Sequence, residues 1–216
     1  MEFLKVQSKQ SSGATSSINV TVDPTTLDSL IVVNIKLNGI TQTVTNVTDD
    51  KGNIYALALG PIDLGSGLRC YQFYGVQKVS GATTITITLS GSMACRTTID
   101  EFTGGQKSNA SVFDKASSGF GNAATSSSVT SFSPANANSL VVAGVGFFSV
   151  SSITAGSGYT LGFNQTNQAT QYKLSSSGAE TAPMTWTVAS DWIEIAGIYK
   201  PYTTSSAKKI LTLLGV

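Results

Sequence analysis

Four carboxylates stand where paired acids would carry out general acid–base chemistry: Asp100 and Glu101 are sequence neighbours, and Asp191 and Glu194 flank Trp192. Glycoside hydrolysis needs two carboxyl groups facing one cleft, and an aromatic ring beside them would stack a sugar. Asp100 and Glu101 fall in a stretch that reads as strand. Consecutive strand side chains point to opposite faces, so these two do not enter one cleft. Asp191, Trp192 and Glu194 leave a glycoside hydrolase as a remote reading. Asp49, Asp50 and Asn53 offer oxygens for calcium, but no EF-hand spacing follows and a solvated turn is the simpler reading. The chain has no histidine. That removes a Ser-His-Asp triad, a Cys-His pair and any histidine metal site within it. With no P-loop or dinucleotide fingerprint either, the expectation is no catalytic residue, no metal and no cofactor.

Cys70 and Cys95 fall on two stretches expected to be neighbouring strands, and the second half has no cysteine. Two buried thiols are expected, and a disulfide stays open because spacing alone does not decide it. The net charge of +1, with 12% charged and 41% hydrophobic residues, gives no general pull toward nucleic acid or anionic lipid and argues against disorder. The opening residues Met1 to Gln7 lack the apolar run of a signal peptide, and no apolar run reaches the length of a bilayer span. The reading is a chain made in the cytoplasm, with no membrane and no nucleic-acid partner. The Asn-x-Ser/Thr triplets at Asn19, Asn46, Asn109 and Asn164 are what chance supplies in so Ser- and Thr-rich a chain.

The elements that must carry these residues repeat. Asp28-Ser-Leu-Ile-Val-Val returns as Asn138-Ser-Leu-Val-Val-Ala. In the same order, Ser16 to Val20 matches Ser127 to Val129, and Asn53 to Leu57 loosely matches Gly158 to Leu161. Phe73-Tyr74 falls near Gln171-Tyr172, Ile85 to Leu89 matches Met184 to Val188, and Ile99 to Thr103 matches Ala196 to Lys200. The separation shrinks along the chain, so the second copy has shorter loops. Thr84-Ile-Thr-Ile-Thr-Leu89 alternates with period two, its Ile and Leu side chains toward a core. Leu30 to Leu37 is richer in apolar residues, as a strand near the middle of a sandwich should be. Asp49 to Asn53 reads as a turn with Gly52 free to take positive φ.

The fold class is therefore all-β, an antiparallel β-sandwich of jelly-roll type, duplicated in sequence, with a short C-terminal helical tail. The divisions are 1–104 for the first repeat with its N-terminal arm, 105–128 for a Ser/Gly/Ala-rich connection, 129–202 for the second repeat and 203–216 for the tail. Two similar sandwich units in close contact are expected. Trp186 belongs to the core because its repeat partner is Ile87, while Trp192 is either core rim or an exposed stacking face. The apolar Phe3, Leu4, Ile210, Leu211, Leu213 and Leu214 at the termini need a surface, either the chain's own or a neighbouring subunit's.

The string Asn46-Val-Thr-Asp-Asp-Lys-Gly-Asn-Ile-Tyr55, the strand Tyr71-Gln-Phe-Tyr74, then Gly81 to Ser90 and Ile99-Asp-Glu-Phe-Thr-Gly104 resemble a broad group of β-sandwich modules. These occur in tailed-phage virion proteins and bacterial surface proteins, some of them similar to lectin-like jelly rolls. The second half follows the pattern through Ser139 to Val142 and Asp191 to Tyr199, so the resemblance spans about residues 14 to 200. It rests on turn and core positions and brings no catalytic residues. It implies a non-enzymatic virion structural protein: a capsid decoration or head-knob protein, or a tail-associated adsorption protein. Its partners would be other virion subunits in a homo-oligomer or on a capsid or tail. The alternative is a carbohydrate-binding adhesion module that meets a host surface glycan through Tyr159, Tyr172 or Trp192.

Overall fold

The computed structural model describes residues 2–175 and 177–203. The expected helical tail, with Ile210, Leu211, Leu213 and Leu214, lies outside the described residues. The rest is β-structure apart from one helical turn. The first repeat runs through β1 (Leu4–Thr21), β2 (Leu30–Asn38), β3 (Val44–Asp49), β4 (Ala56–Leu64), β5 (Leu68–Val76) and β6 (Thr84–Thr103). After α1 (Asn109–Val112), the second runs through β7 (Phe113–Ser127), β8 (Ser139–Phe147), β9 (Thr154–Ala155), β10 (Thr160–Gln165), β11 (Gln168–Ser175) and β12 (Met184–Tyr199).

The duplication read from the sequence holds strand for strand. One six-stranded antiparallel sheet has the order β1-β6-β2-β5-β4 with β3 on β6, and the other has β7-β12-β8-β11-β10 with β9 on β12. Register agrees with the sequence match. Leu30 pairs with Phe102 as Leu140 pairs with Tyr199, and Tyr74 lies opposite Val32 as Tyr172 lies opposite Val142. Asp28 and Asn138, which open the repeated string, both take a φ of 58°. Among non-glycine residues, Asp and Asn tolerate this left-handed conformation best.

Each repeat makes a sandwich by folding one long strand across two layers. The first part of β6 pairs with β3 and its last part with β2, while β1 runs beside both. Ile31, Val33, Ile35 and Leu37 on one face of β2 therefore meet Ile18, Val20, Ile85 and Ile87 in a core that belongs to the first repeat alone. Each such side chain stabilises the fold by about 1.5–3 kcal/mol when fully buried. The second repeat has its own core in two clusters, one with Val145, Phe147, Met184, Trp186 and Trp192 and one with Val141, Ala143, Ala196 and Ile198. Trp186 is core, as its match to Ile87 implied.

The other faces of β2 and β8 meet each other. Phe3, Leu30, Val32, Tyr74, Val76 and Phe102 pack with Val112, Leu140, Val142 and Tyr199, and Leu64, Leu68 and Cys70 pack with Ile193 and Ile195. Across this seam β2 lies over β8, β5 over β12, β4 over β7 and β1 over β10, and Phe102 on β6 meets Tyr172 on β11 edge to face. The pairing is reciprocal, as in an isologous dimer. Gln72 Nε2 donates to Val142 O at 3.1 Å, and Gln168 Nε2 donates to Asn34 O at 3.0 Å. Each repeat thus sends a glutamine amide to the other's central strand.

Two expectations change, and of the two places open to the N-terminal arm the structure takes its own sheet. Most of residues 105–128 is not a connection but β7, the counterpart of β1, paired along β12. Its low apolar content reflects an edge position and close packing: a Cβ on Gly121 would stand 2.8 Å from Trp192 Nε1. Strand β1 begins at Leu4, well ahead of the apolar alternation, because it is also an edge and carries Lys5 and Lys9 there. Cys70 and Cys95 are not on neighbouring strands: β2 runs between β5 and β6. Two strand spacings, roughly 9–10 Å, exceed the roughly 7 Å reach of a disulfide, and both thiols are free and buried.

Candidate functional site

Strand β2 is buried on both faces and carries one charged residue, Lys36, which is 2% exposed. It points into the seam. In register, Lys36 lies between Cys70 on β5 and Arg96 on β6. Across the seam is Gly146 of β8, where a Cβ would stand 2.7 Å from Lys36 Cγ and 2.8 Å from Cys70 Sγ. Glycine at 146 is what lets the lysine stem lie there. The ammonium reaches a cavity of about 260 Å³ at the edge of the seam, lined also by Arg96, Asn38, Ser12, Cys95 and Asn167.

No hydrogen bond or ion pair reaches Lys36 Nζ among the described residues; the ammonium lies 5.8 Å from the centre of the Phe148 ring. Burial lowers its pKa to about 8, and the Arg96 charge pushes the same way. Burial also pushes the Cys70 and Cys95 thiols up to about 12, so they stay protonated and offer no thiolate counter-charge. Arg96 Nη1 donates to Gln10 Oε1 at 3.0 Å, and Asn167 Oδ1 is shut from solvent without a partner. Among the described residues no carboxylate lines the cavity. Lys36, Arg96, Asn38 and Asn167 thus bring positive charge and amide groups to one recess, a set of groups suited to an anion.

The carboxylates singled out from sequence are elsewhere and do not converge. Asp100 and Glu101 do point apart. Asp100 pairs with Lys5 at 2.6 Å and accepts from Ser8. Glu101 accepts from Gln7 Nε2 at 2.5 Å, Thr26 N at 2.8 Å and Ser29 Oγ at 2.7 Å. Asp191 accepts from Ala123 N at 2.9 Å. Glu194 is fully buried in the second repeat's core, where burial raises its pKa well above the usual range and neither carboxylate oxygen has a hydrogen-bond partner among the described residues. Asp49 closes the expected turn: its carboxylate accepts from Lys51 N, Asn53 N, Asn53 Nδ2 and Tyr55 OH, with Gly52 at φ 77°. Among the described residues no cluster of three or more His, Cys, Asp or Glu gathers to hold a metal.

The predicted contact residues are largely taken up by their own chain. Phe3 is 4% exposed and packs in the seam, so it docks at home; Leu4 beside it is 67% exposed. Trp192 is 7% exposed and lies in the second core, so of its two alternatives the structure takes the core and not the stacking face. Tyr172 is half-buried, with Lys5 Nζ 4.7 Å from its ring centre and Phe102 at its edge. Tyr159 is half-buried, donates to Glu180 at 2.8 Å and has Lys173 Nζ over its ring at 5.2 Å. Sequence reasoning missed Lys36, Arg96 and Asn167. The available signal was the lone lysine inside the apolar run Leu30 to Leu37, since a charge in a strand buried on both faces needs a reason.

Comparison with protein-family models, curated proteins and solved structures returned no match to this chain.

Proposed function

We propose that this chain is a non-enzymatic structural protein of a tailed-phage virion, a capsid decoration or tail-associated adsorption protein that works through its surfaces. The observation that carries the reading is the use of its acids. Asp49, Asp100 and Glu101, three of the carboxylates singled out from sequence, each hold two or more internal partners and brace turns and seams, and Glu194 is shut inside the second core. The strings that resemble virion modules are the same braced turns and core strands. The seam joins two sandwiches into one block, and apolar side chains such as Ile54, 76% exposed, remain outside it for contact with neighbouring subunits. A glycan-binding reading through Tyr159, Tyr172 and Trp192 has less support, because the first two rings are half-covered by their own chain and the third is buried.

The test is immunogold labelling of purified particles with antibody to this chain. Regular labelling at one location supports the proposal. Particles that carry their other structural proteins but lack this chain would remove it. A second arm deletes residues 203–216. Loss of particle attachment by a still-folded sandwich would place docking in the tail, and unchanged attachment would place it on the described surface.

A further inference from the structure

We propose that the recess at the edge of the seam binds a small oxyanion, a carboxylate, sulfate or phosphate group, seated between the Lys36 ammonium and the Arg96 guanidinium. This goes beyond the virion reading and does not depend on it.

Three independent observations converge. First, Lys36 is 2% exposed overall, and its side chain meets the cavity with neither a hydrogen bond nor a counter-charge among the described residues, so an anion in the cavity would offset the cost of desolvating the ammonium. Second, among the described residues no charged or titratable group that lines the cavity or packs around the Lys36 side chain supplies that counter-charge. Arg96 on β6 carries the same sign, Cys95 on β6 and Cys70 on β5 are protonated thiols, and the second repeat brings Gly146, Asn167 and Phe148, which do not titrate. Third, the two cations are specific to one repeat. Lys36 and Arg96 form a cross-strand pair on β2 and β6, and the equivalent pair on β8 and β12 is Gly146 and Ile193. A duplicated scaffold therefore folds without the cations, and the first copy carries them at the mouth of a cavity of about 260 Å³. Ser12 and Asn38 on the same wall carry hydroxyl and carboxamide donors that can serve an oxyanion, while the unpartnered Asn167 Oδ1 is an acceptor suited to the ammonium.

Because the free ammonium titrates near 8, affinity should be greatest below that pH and fall as Lys36 deprotonates. An occupant in turn raises the Lys36 pKa, since the two equilibria are linked.

The experiment follows lysine side-chain NMR signals of the full chain at constant ionic strength, replacing sodium chloride with sodium sulfate in one arm and sodium glucuronate in another. Expected is a saturable shift of the Lys36 signal and a rise of its pKa by a unit or more. Binding should weaken at least tenfold in Arg96→Gln and vanish in Lys36→Met. Response to sulfate identifies a free inorganic anion as sufficient; response to glucuronate alone identifies a carboxylate borne on a larger molecule. A Lys36 pKa unmoved by either anion overturns the proposal, as does an equal response in Lys36→Met. The pKa measurement on the unsubstituted chain decides the matter even if a variant fails to fold.

Discussion

Lys36 and Gly146 hold equivalent places in the two repeats and lie against each other across the seam, the lysine stem filling the space that the glycine leaves. One scaffold position has thus taken two opposite roles. In one copy it carries a buried cation, and in the other it is bare backbone that accommodates that cation. The asymmetry is local, since the cross-strand pairs around it keep the repeat register.

Gly146→Ala should destabilise the chain by about 1–3 kcal/mol, the usual cost of overpacking a core. The new methyl would meet Cys70 Sγ, which has no room to retreat, as well as the lysine stem. Gly65→Ala, where nothing lies within 4 Å of the added carbon, is the control. Denaturant unfolding of both variants checks this, and equal midpoints would contradict the packing argument.

Lys36→Met should stabilise the chain at pH 7. The folded pKa lies near 8, below the ordinary lysine value of 10.5, so the unfolded chain binds the extra proton between those two values. Unsubstituted stability then rises with pH across that window, and the full penalty, about 3 kcal/mol at most, is present below it. Thermal melts at pH 7 and pH 10 should show the variant's advantage shrinking at the higher pH. A variant less stable at pH 7 would contradict the prediction.

Glu194→Gln should also stabilise at neutral pH. Burial raises the folded carboxyl well above the usual range, so the native chain keeps a proton that the unfolded chain releases above about pH 4.3. Stability of the unsubstituted chain therefore falls as pH rises from there. The glutamine variant lacks that slope. Its Tm should be higher at pH 7, by about 2–4 °C per kcal/mol gained, and close to the parent's at pH 4. Parallel pH profiles for the two would sink the idea.

Cys70 and Cys95 should resist thiol reagents in the folded chain and both react once it is unfolded. Their thiols are buried with pKa values pushed up to about 12, so little thiolate exists at neutral pH and little of it is reachable. Native labelling as fast as denatured labelling would show that the seam opens readily. Failure to label after unfolding without reductant would reveal a bridge.

Periodicity and order made much of the fold legible. The alternation at Thr84 to Leu89, the two-faced apolar run Leu30 to Leu37 and the turn at Asp49 to Asn53 are local patterns, and local patterns survive translation into strands and turns. The match of Leu30 with Leu140 and of Phe102 with Tyr199 also identified equivalent positions, and the structure shows that these equivalent residues keep the same cross-strand partners. β7 was not legible. Glycine and serine there read as a linker until Trp192 is seen lying on Gly121.

By itself, then, the amino-acid sequence determined an all-β chain built twice on one plan, since side-chain period and the order of segments are properties of neighbours along the chain. Which strands lie side by side, which faces meet and which groups are left without a partner were decided only by the tertiary structure. β2 separates Cys70 from Cys95, the face of β2 opposite the first core meets β8, and Lys36 arrives with Arg96 at a recess without a carboxylate. Pairing energies and desolvation depend on residues distant in sequence, so the site's chemistry appears only when the two sandwiches close on each other.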